Sequence, residues 1–299
     1  MSLRAGVTVH AFAKINLELH VLGLRPDGYH ELRTTFQSIA LADTLTFTRT
    51  RGPFRIECDE PSFPADDTNL IWKAGERVLR RIARSRVPLS GVTVRVDKNI
   101  PMQGGLGGGS SDAAAALHAF CRLWKLKASA EELHDAAASL GADVPYFLHG
   151  GTALGFHRGD LVVPIDDIAP AWVVIVIPDF GVRTKDAFAW WDAEKNGREG
   201  QKRRDETDKR NANDLERVVA KRYPVVTRLV RALNKEGAFH ASLSGSGSAV
   251  FGLFSRRSDA QAAARNLAGP RTFVTPTLTR AACRRLGPFP RVGTGLAAK

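Results

Sequence analysis

No stretch of this 299-residue chain is apolar for long enough to cross a bilayer. The longest such run, Ala171 to Pro178 (AWVVIVIP), falls far short of the about 20 residues that a spanning helix needs. The opening residues MSLRAGVTVHAFAK lack the apolar core of a signal peptide, so a cytoplasmic protein with no membrane partner is expected. Cysteine is scarce: Cys58, Cys121 and Cys283 lie far apart, are odd in number and form no CxxC pair. A disulfide framework or zinc site is therefore not expected; reduced, mostly buried thiols are. The histidines show no HExxH or comparable spacing, so no metal is assigned to protein ligands. No internal repeat is visible.

What is present is enough for a substantial core in one large or two medium domains, at 43% hydrophobic and 25% charged residues. The formal net charge is +12, and the segment from Arg256 to Lys299 carries nine Lys or Arg against one acid, Asp259. Such a surface attracts anionic substrates or nucleic acid. An Arg-rich composition of the kind common in high-pI proteins accounts for the charge more simply, and no RNP aromatic pair or GXXG clamp accompanies it, so nucleic acid is not expected.

Val7–His10 and Ile15–Leu22 alternate as strands, with Ala11–Lys14 between them, and Arg25–Tyr29 (RPDGY) reads as a turn. Thr44–Thr48, Phe54–Cys58, Val92–Val96, Thr152–Phe156, Trp172–Ile177, Ala249–Phe254 and Arg271–Thr277 read as further strands. Helical periodicity runs over Asn69–Arg84, Asn213–Ala220, Pro224–Leu233 and Asp259–Leu267. A helix from Ser129 to Leu140 carries a capping-box pattern, Ser129 with Glu132, and a C-terminal stop at Gly141. The run 194–210 is charged, lacks periodicity and reads as a mobile surface excursion. Ala241–Ser248 reads as a second Gly/Ser loop. Strands and helices mix without regular βα alternation, which predicts an α+β fold.

The most informative segment is Pro101-Met102-Gln103-Gly104-Gly105-Leu106-Gly107-Gly108-Gly109-Ser110-Ser111-Asp112, between a strong strand and an Ala-rich helix reaching Trp124. Glycines let backbone approach a ligand and take positive φ. A helix start offers free N–H groups and a positive dipole end, a site for a triphosphate such as ATP. Ser110 and Ser111 add hydroxyls for phosphate oxygens or Mg²⁺. A Walker loop is excluded, because no Lys follows the glycines. A dinucleotide fingerprint fails as well, since GxGxxG begun at Gly105 ends on Ser110.

The P-x-x-x-G-L-G-G-G-S-S-D-A pattern resembles the phosphate loop of the GHMP kinase superfamily (galactokinase, homoserine kinase, mevalonate kinase and phosphomevalonate kinase). Three segments narrow the resemblance: Ala13-Lys14-Ile15-Asn16-Leu17, Arg25-Pro26-Asp27-Gly28-Tyr29-His30-Glu31-Leu32, and Gly141-Ala142-Asp143-Val144-Pro145-Tyr146-Phe147. In that order they resemble the family of 4-diphosphocytidyl-2-C-methyl-D-erythritol kinases, and Leu243-Ser244-Gly245-Ser246-Gly247 resembles the C-terminal glycine motif of the superfamily. Gln103 departs from the small residue more usual there, and the charged stretch 194–210 is longer than expected.

The resemblance implies a two-lobed fold. An N-terminal lobe over 1–165 would be like the second domain of ribosomal protein S five, and a C-terminal lobe over 166–299 would be ferredoxin-like. ATP with Mg²⁺ and a cytidine diphosphate-linked methylerythritol would meet in the cleft, in a monomer or homodimer. It further implies that Lys14 and Asp143 form the catalytic pair, that Tyr29 stacks on the base and His30 bonds to it, that Asn16 contacts substrate near Lys14, and that Gly245 and Gly247 approach the diphosphate. Lys98 and Asn69 are candidates near adenine, and Trp190 and Trp191 for packing. Other readings stay open at this point: another superfamily kinase acting on homoserine, a sugar or mevalonate, a non-catalytic ligand sensor, or an RNA-binding relative.

Overall fold

Ten strands and eight α-helices are assigned in the computed structural model, which describes residues 6–85, 87–196, 212–267 and 271–287. The first sheet is built from β1 (Val7–Leu24), β2 (His30–Pro53), β3 (Arg55–Cys58), β4 (Ser90–Asp97), β5 (Thr152–His157) and β6 (Leu161–Pro164). Its order is β3-β4-β2-β5-β6, with β1 also paired to β2. Helices α1 (Leu70–Arg77), α2 (Gly108–Leu123) and α3 (Ala130–Ala138) accompany it. The second sheet runs β10-β7-β9-β8, from β7 (Trp172–Ile177), β8 (His240–Leu243), β9 (Val250–Phe254) and β10 (Arg271–Pro276). All its pairings are antiparallel, and the order 4-1-3-2 is that of a ferredoxin-like sheet. Its helices are α4 (Thr184–Asn196), α5 (Asp214–Arg222), α6 (Val225–Lys235) and α7 (Arg257–Asn266); α8 (Arg280–Leu286) follows β10.

β1 and β2 are each single long strands rather than the shorter pieces that alternation suggests, and β2 starts at His30 instead of near Thr44. Two causes hide this in the sequence. Register shifts at Phe12/Lys14, Asn16/Glu18 and Val21/Gly23 break the period of two. In addition, Ala13, Lys14, Ile15 and Asn16 are all buried, as are Phe36, Gln37, Ser38 and Ile39. There the sheet is covered on both faces, so no polar side remains. The cover is the second sheet: Ala13, Ile15 and Ile39 share one apolar cluster with Val173, Ile175, Phe251 and Leu253. Val174 and Val176, the alternate residues of β7, pack instead with the helices α5 and α6 (Leu215, Val219, Val226, Leu233). This explains the unbroken apolar run of β7.

Other expectations need adjustment. The helix expected over Asn69–Arg84 is α-helical only to Arg77 and continues as a π turn, Val78–Ile82. The Ser129–Glu132 capping box is present, but α3 ends with Ser139 as its cap, and Gly141 plays no left-handed stop. His240–Leu243 is a strand, because β9 pairs it; the second glycine loop is confined to 244–248. Residues 194–196 finish α4, and the rest of the charged run 194–210 lies outside the described residues. The 165/166 division falls between Pro164, the end of the first sheet, and Trp172, where the second begins. Yet α8 returns to the first unit: Arg280 donates to the carbonyls of Thr152 and Ile165, and Gln37 Nε2 donates to Leu278 O at 2.9 Å.

Candidate active site

The glycine loop is held by two apolar anchors, one just ahead of it and one in its middle, and at its entry by one carboxylate. Ile100 and Leu106 are buried in the inter-sheet cluster. Asp43 Oδ1 on β2 accepts from the backbone N–H groups of Asn99 (2.6 Å) and Ile100 (2.8 Å). Gly105 and Gly107 lie at φ +74 and +71. The sequence suggests that these glycines clear space for a ligand, but the structure gives several of them an internal reason. A Cβ on Gly105 would fall well inside 3.0 Å of the Ser244 carbonyl oxygen, and one on Gly107 would sit 2.6 Å from Phe147 Cζ. Gly109 differs, for nothing stands within 4 Å of its would-be Cβ. The two glycine loops are also tied directly, since Ala249 N donates to Gly104 O (3.1 Å) and Ser244 Oγ to Gly105 O (3.0 Å).

Helix α2 starts on Gly107 with no side-chain cap, which leaves its first N–H groups for a ligand. Ser110 lines the adjoining cleft of about 1020 Å³. Ser111 does not: its hydroxyl donates to Phe12 O at 2.6 Å and fastens α2 to β1. Pro101, Met102, Gln103, Gly104 to Gly109, Lys14, Asn16, Tyr29, His30, Asp143, Gly245 and Gly247 all line that same cleft, as do Lys98 and Asn69. Gln103 takes φ +57 there, with its side chain against Gly181.

Lys14 Nζ lies 3.4 Å from Asp143 Oδ2 and donates to Asn16 Oδ1 at 2.5 Å. Asn16 Nδ2 in turn donates to Thr34 Oγ1, and that hydroxyl to Glu18 O. The lysine side chain is 4% exposed and that of Asp143 35%, so the ammonium is aimed by a fixed chain of hydrogen bonds while the carboxylate stays open to the cleft. Gly245, at φ +57, leaves room for this arrangement, because a Cβ there would sit 3.3 Å from Lys14 Nζ. Across the cleft, the Tyr29 ring carries the Arg158 guanidinium at 4.8 Å, and the His30 ring stacks on Phe188 with centroids 4.6 Å apart.

Two features escaped the sequence. Helix α4 brings Thr184, Lys185, Phe188 and Asp192 to the cleft. Its Trp190 and Trp191, expected to pack, do join the second unit's core. The other feature is a buried cluster: Lys98 Nζ binds Asp43 and, at 3.1 Å, Asp112 Oδ2, while Asp112 Oδ1 has no hydrogen-bond partner. Burial alone would lower the Lys98 ammonium, but Asp112 and Asp43 outweigh it and hold it above its ordinary value. Burial pushes the Asp112 carboxyl up to about 8, against the pull of Lys98. With two carboxyls for one ammonium, one proton stays near neutrality. Because the folded value is raised, this group's stabilisation is complete below the unfolded carboxyl value, about pH 4, and is lost as pH rises toward about 8. Asp112→Asn cannot ionise, so its Tm is expected to fall less than the wild type's between about pH 6 and pH 9. Thermal unfolding at the two pH values checks this, and parallel falls would contradict it.

GHMP kinases N terminal domain is the family that matches residues 69–151, and GHMP kinases C terminal matches 201–270. The 4-diphosphocytidyl-2-C-methyl-D-erythritol kinase of Moorella thermoacetica is 40% identical over 91% of this chain and 99% of its own length. The chain belongs to the 4-diphosphocytidyl-2-C-methyl-D-erythritol kinase family, a branch of the GHMP kinases. A crystal structure of a 4-(cytidine 5'-diphospho)-2C-methyl-D-erythritol kinase superposes with a TM-score of 0.74 at 30% identity, covering 91% of this chain and 99% of that one. The homoserine kinase of Cytophaga hutchinsonii, at 19% identity and TM-score 0.67 over 93% and 96% of the two chains, shares the fold. Within this GHMP kinase the N-terminal match takes in the glycine loop and Asp143, and the C-terminal match takes in Gly245 and Gly247. Lys14, Asn16, Tyr29 and His30 precede both spans and reach the cleft from β1 (Lys14, Asn16), the turn after it (Tyr29) and the first residue of β2 (His30).

Proposed function

We propose that this GHMP kinase transfers the γ-phosphate of ATP to the 2-hydroxyl of 4-diphosphocytidyl-2-C-methyl-D-erythritol, giving the 2-phosphate and ADP, a step in non-mevalonate isoprenoid precursor synthesis. The observation that carries the reading is the Lys14–Asp143 pair, 3.4 Å apart in the cleft that the uncapped start of α2 also lines. Phosphoryl transfer asks for positioning and charge stabilisation more than for covalent chemistry. The triphosphate sits on the free N–H groups of α2 and the glycine loop. The acceptor hydroxyl lies against Asp143. A carboxylate is too weak a base to strip a tertiary alcohol in the ground state. It accepts the proton on its oxygen late, as the new O–P bond forms and the hydroxyl acidifies. Lys14, steered by Asn16, neutralises charge on the moving phosphoryl group.

Among the described residues no cluster of three or more His, Cys, Asp or Glu is placed to hold a metal. Mg²⁺ arrives on nucleotide phosphates and takes only one or two protein oxygens. Ser110 is the cleft residue that would supply one, and the ion would neutralise phosphate charge. The aromatic end, Tyr29 and Phe188, offers flat faces for the pyrimidine.

ADP release measured by a coupled assay is expected with 4-diphosphocytidyl-2-C-methyl-D-erythritol and not with homoserine or mevalonate. Turnover confined to either of the latter would reject the assignment.

A further inference from the structure

The aromatic end of the cleft contains a polar pair whose chemistry bears on which base the site accepts. His30 opens β2 directly after the turn at 25–29, and α4 lays Phe188, Trp191 and Asp192 around its ring. The ring stacks on Phe188 at 4.6 Å, meets the edge of Trp191 at 5.7 Å, and its side chain is 9% exposed. Its Nε2 lies 2.8 Å from Asp192 Oδ1. An ionised carboxylate only accepts hydrogen bonds, so Nε2 carries the proton. In a neutral imidazole the other nitrogen is then a bare acceptor. Nδ1 has no hydrogen-bond partner among the described residues, and His30 lines the cleft.

Cytosine carries an exocyclic amino group, a donor, where uracil carries a carbonyl oxygen, an acceptor. A histidine fixed with Nδ1 bare accepts from the amino group and opposes the carbonyl with a lone pair. We infer that Asp192 is a positioning residue for base selection: it locks His30 in the Nε2–H tautomer and so makes the cleft favour a 4-amino over a 4-oxo pyrimidine. The inference rests on the reading above that the pyrimidine occupies this end of the cleft. Phe188 and Trp191 hold the ring plane, and Asp192 sets which nitrogen is protonated. Asp192 is itself 39% exposed on the surface of α4, so removing its carboxylate leaves the core intact.

Two measurements on the full chain test it without relying on turnover. Long-range ¹H–¹⁵N spectra, with His30 signals assigned by comparison with His30→Ala, are expected to show the Nε2–H tautomer in the wild type. Calorimetry is expected to show cytidine 5'-diphosphate binding about tenfold or more tighter than uridine 5'-diphosphate, with the ratio falling to within about threefold in Asp192→Ala. A purely structural role would weaken both nucleotides alike and leave the ratio untouched. An Nδ1–H or doubly protonated ring, a wild type without preference, or an unchanged ratio in Asp192→Ala overturns the inference. If the preference is present and depends on Asp192 while no 4-diphosphocytidyl substrate is turned over, the inference stands and the proposed reaction falls. Turnover of that substrate without any nucleotide preference keeps the reaction and overturns the role of Asp192.

Discussion

Asp143→Asn is expected to lower kcat by about two to four orders of magnitude while leaving the fold and the ATP affinity close to wild type. The substitution keeps shape and volume and removes only the capacity to take a proton and a unit of charge. Asp143 is partly exposed, on the turn ahead of Pro145–Leu148, and the amide oxygen of the variant can still face the buried Lys14 ammonium, so the cost in stability stays small beside the loss in rate. Lys14 retains its bond to Asn16 and therefore its aim. The loss should appear in kcat rather than in the KM for ATP, because the nucleotide rests on the glycine loop and α2. Steady-state kinetics with a parallel thermal melt is the measurement. Turnover within about threefold of wild type would mean that the proton leaves by another route.

Gly105→Ala is expected to cost roughly 2 to 5 kcal/mol of stability and to abolish measurable ATP binding. Two separate penalties meet at this position. The backbone is left-handed, at φ +74, and an added methyl collides with the Ser244 carbonyl oxygen, a backbone atom that no side-chain rotation can move. Relief requires parting the two glycine loops, which breaks the bonds Ala249 N to Gly104 O and Ser244 Oγ to Gly105 O. Gly109→Ala is the informative partner: space is open there and φ is not left-handed, so the fold should be unaffected. Any loss of ATP affinity in Gly109→Ala then reports crowding of the ligand alone. Denaturant titration and nucleotide calorimetry on both variants separate the effects, and a Gly105→Ala protein as stable as wild type would refute the account.

Much of this site is readable in the sequence because its signals are local. The glycine loop, the Ala-rich α2 and the Ser129–Glu132 box each declare themselves within a dozen residues. The motif segments carrying Lys14, His30 and Asp143 are legible through resemblance, but their meeting depends on β1 and β2, whose lengths are hidden by bulges and two-sided burial. Asp43 gives no sign at all: it stands just outside the strand read over Thr44–Thr48, and its work is done on Lys98, 55 positions away. Asp192 is hidden for a similar reason, since it pairs with a histidine 162 positions earlier. Ser111 shows the reverse error, in which a motif hydroxyl that suggests a ligand serves a backbone carbonyl instead.

The return of residues 277–283 to the first sheet has a consequence for biogenesis. Gln37 and Ser38 take Leu278 as partner, 241 positions separating Gln37 from it. While the chain is being made, the leading half emerges with those groups facing solvent, and at about 5–20 residues per second the wait lasts on the order of tens of seconds. The ATP-side half is thus born with an open seam that the tail must close, which makes a nascent chain halted before residue 277 the form most in need of a chaperone.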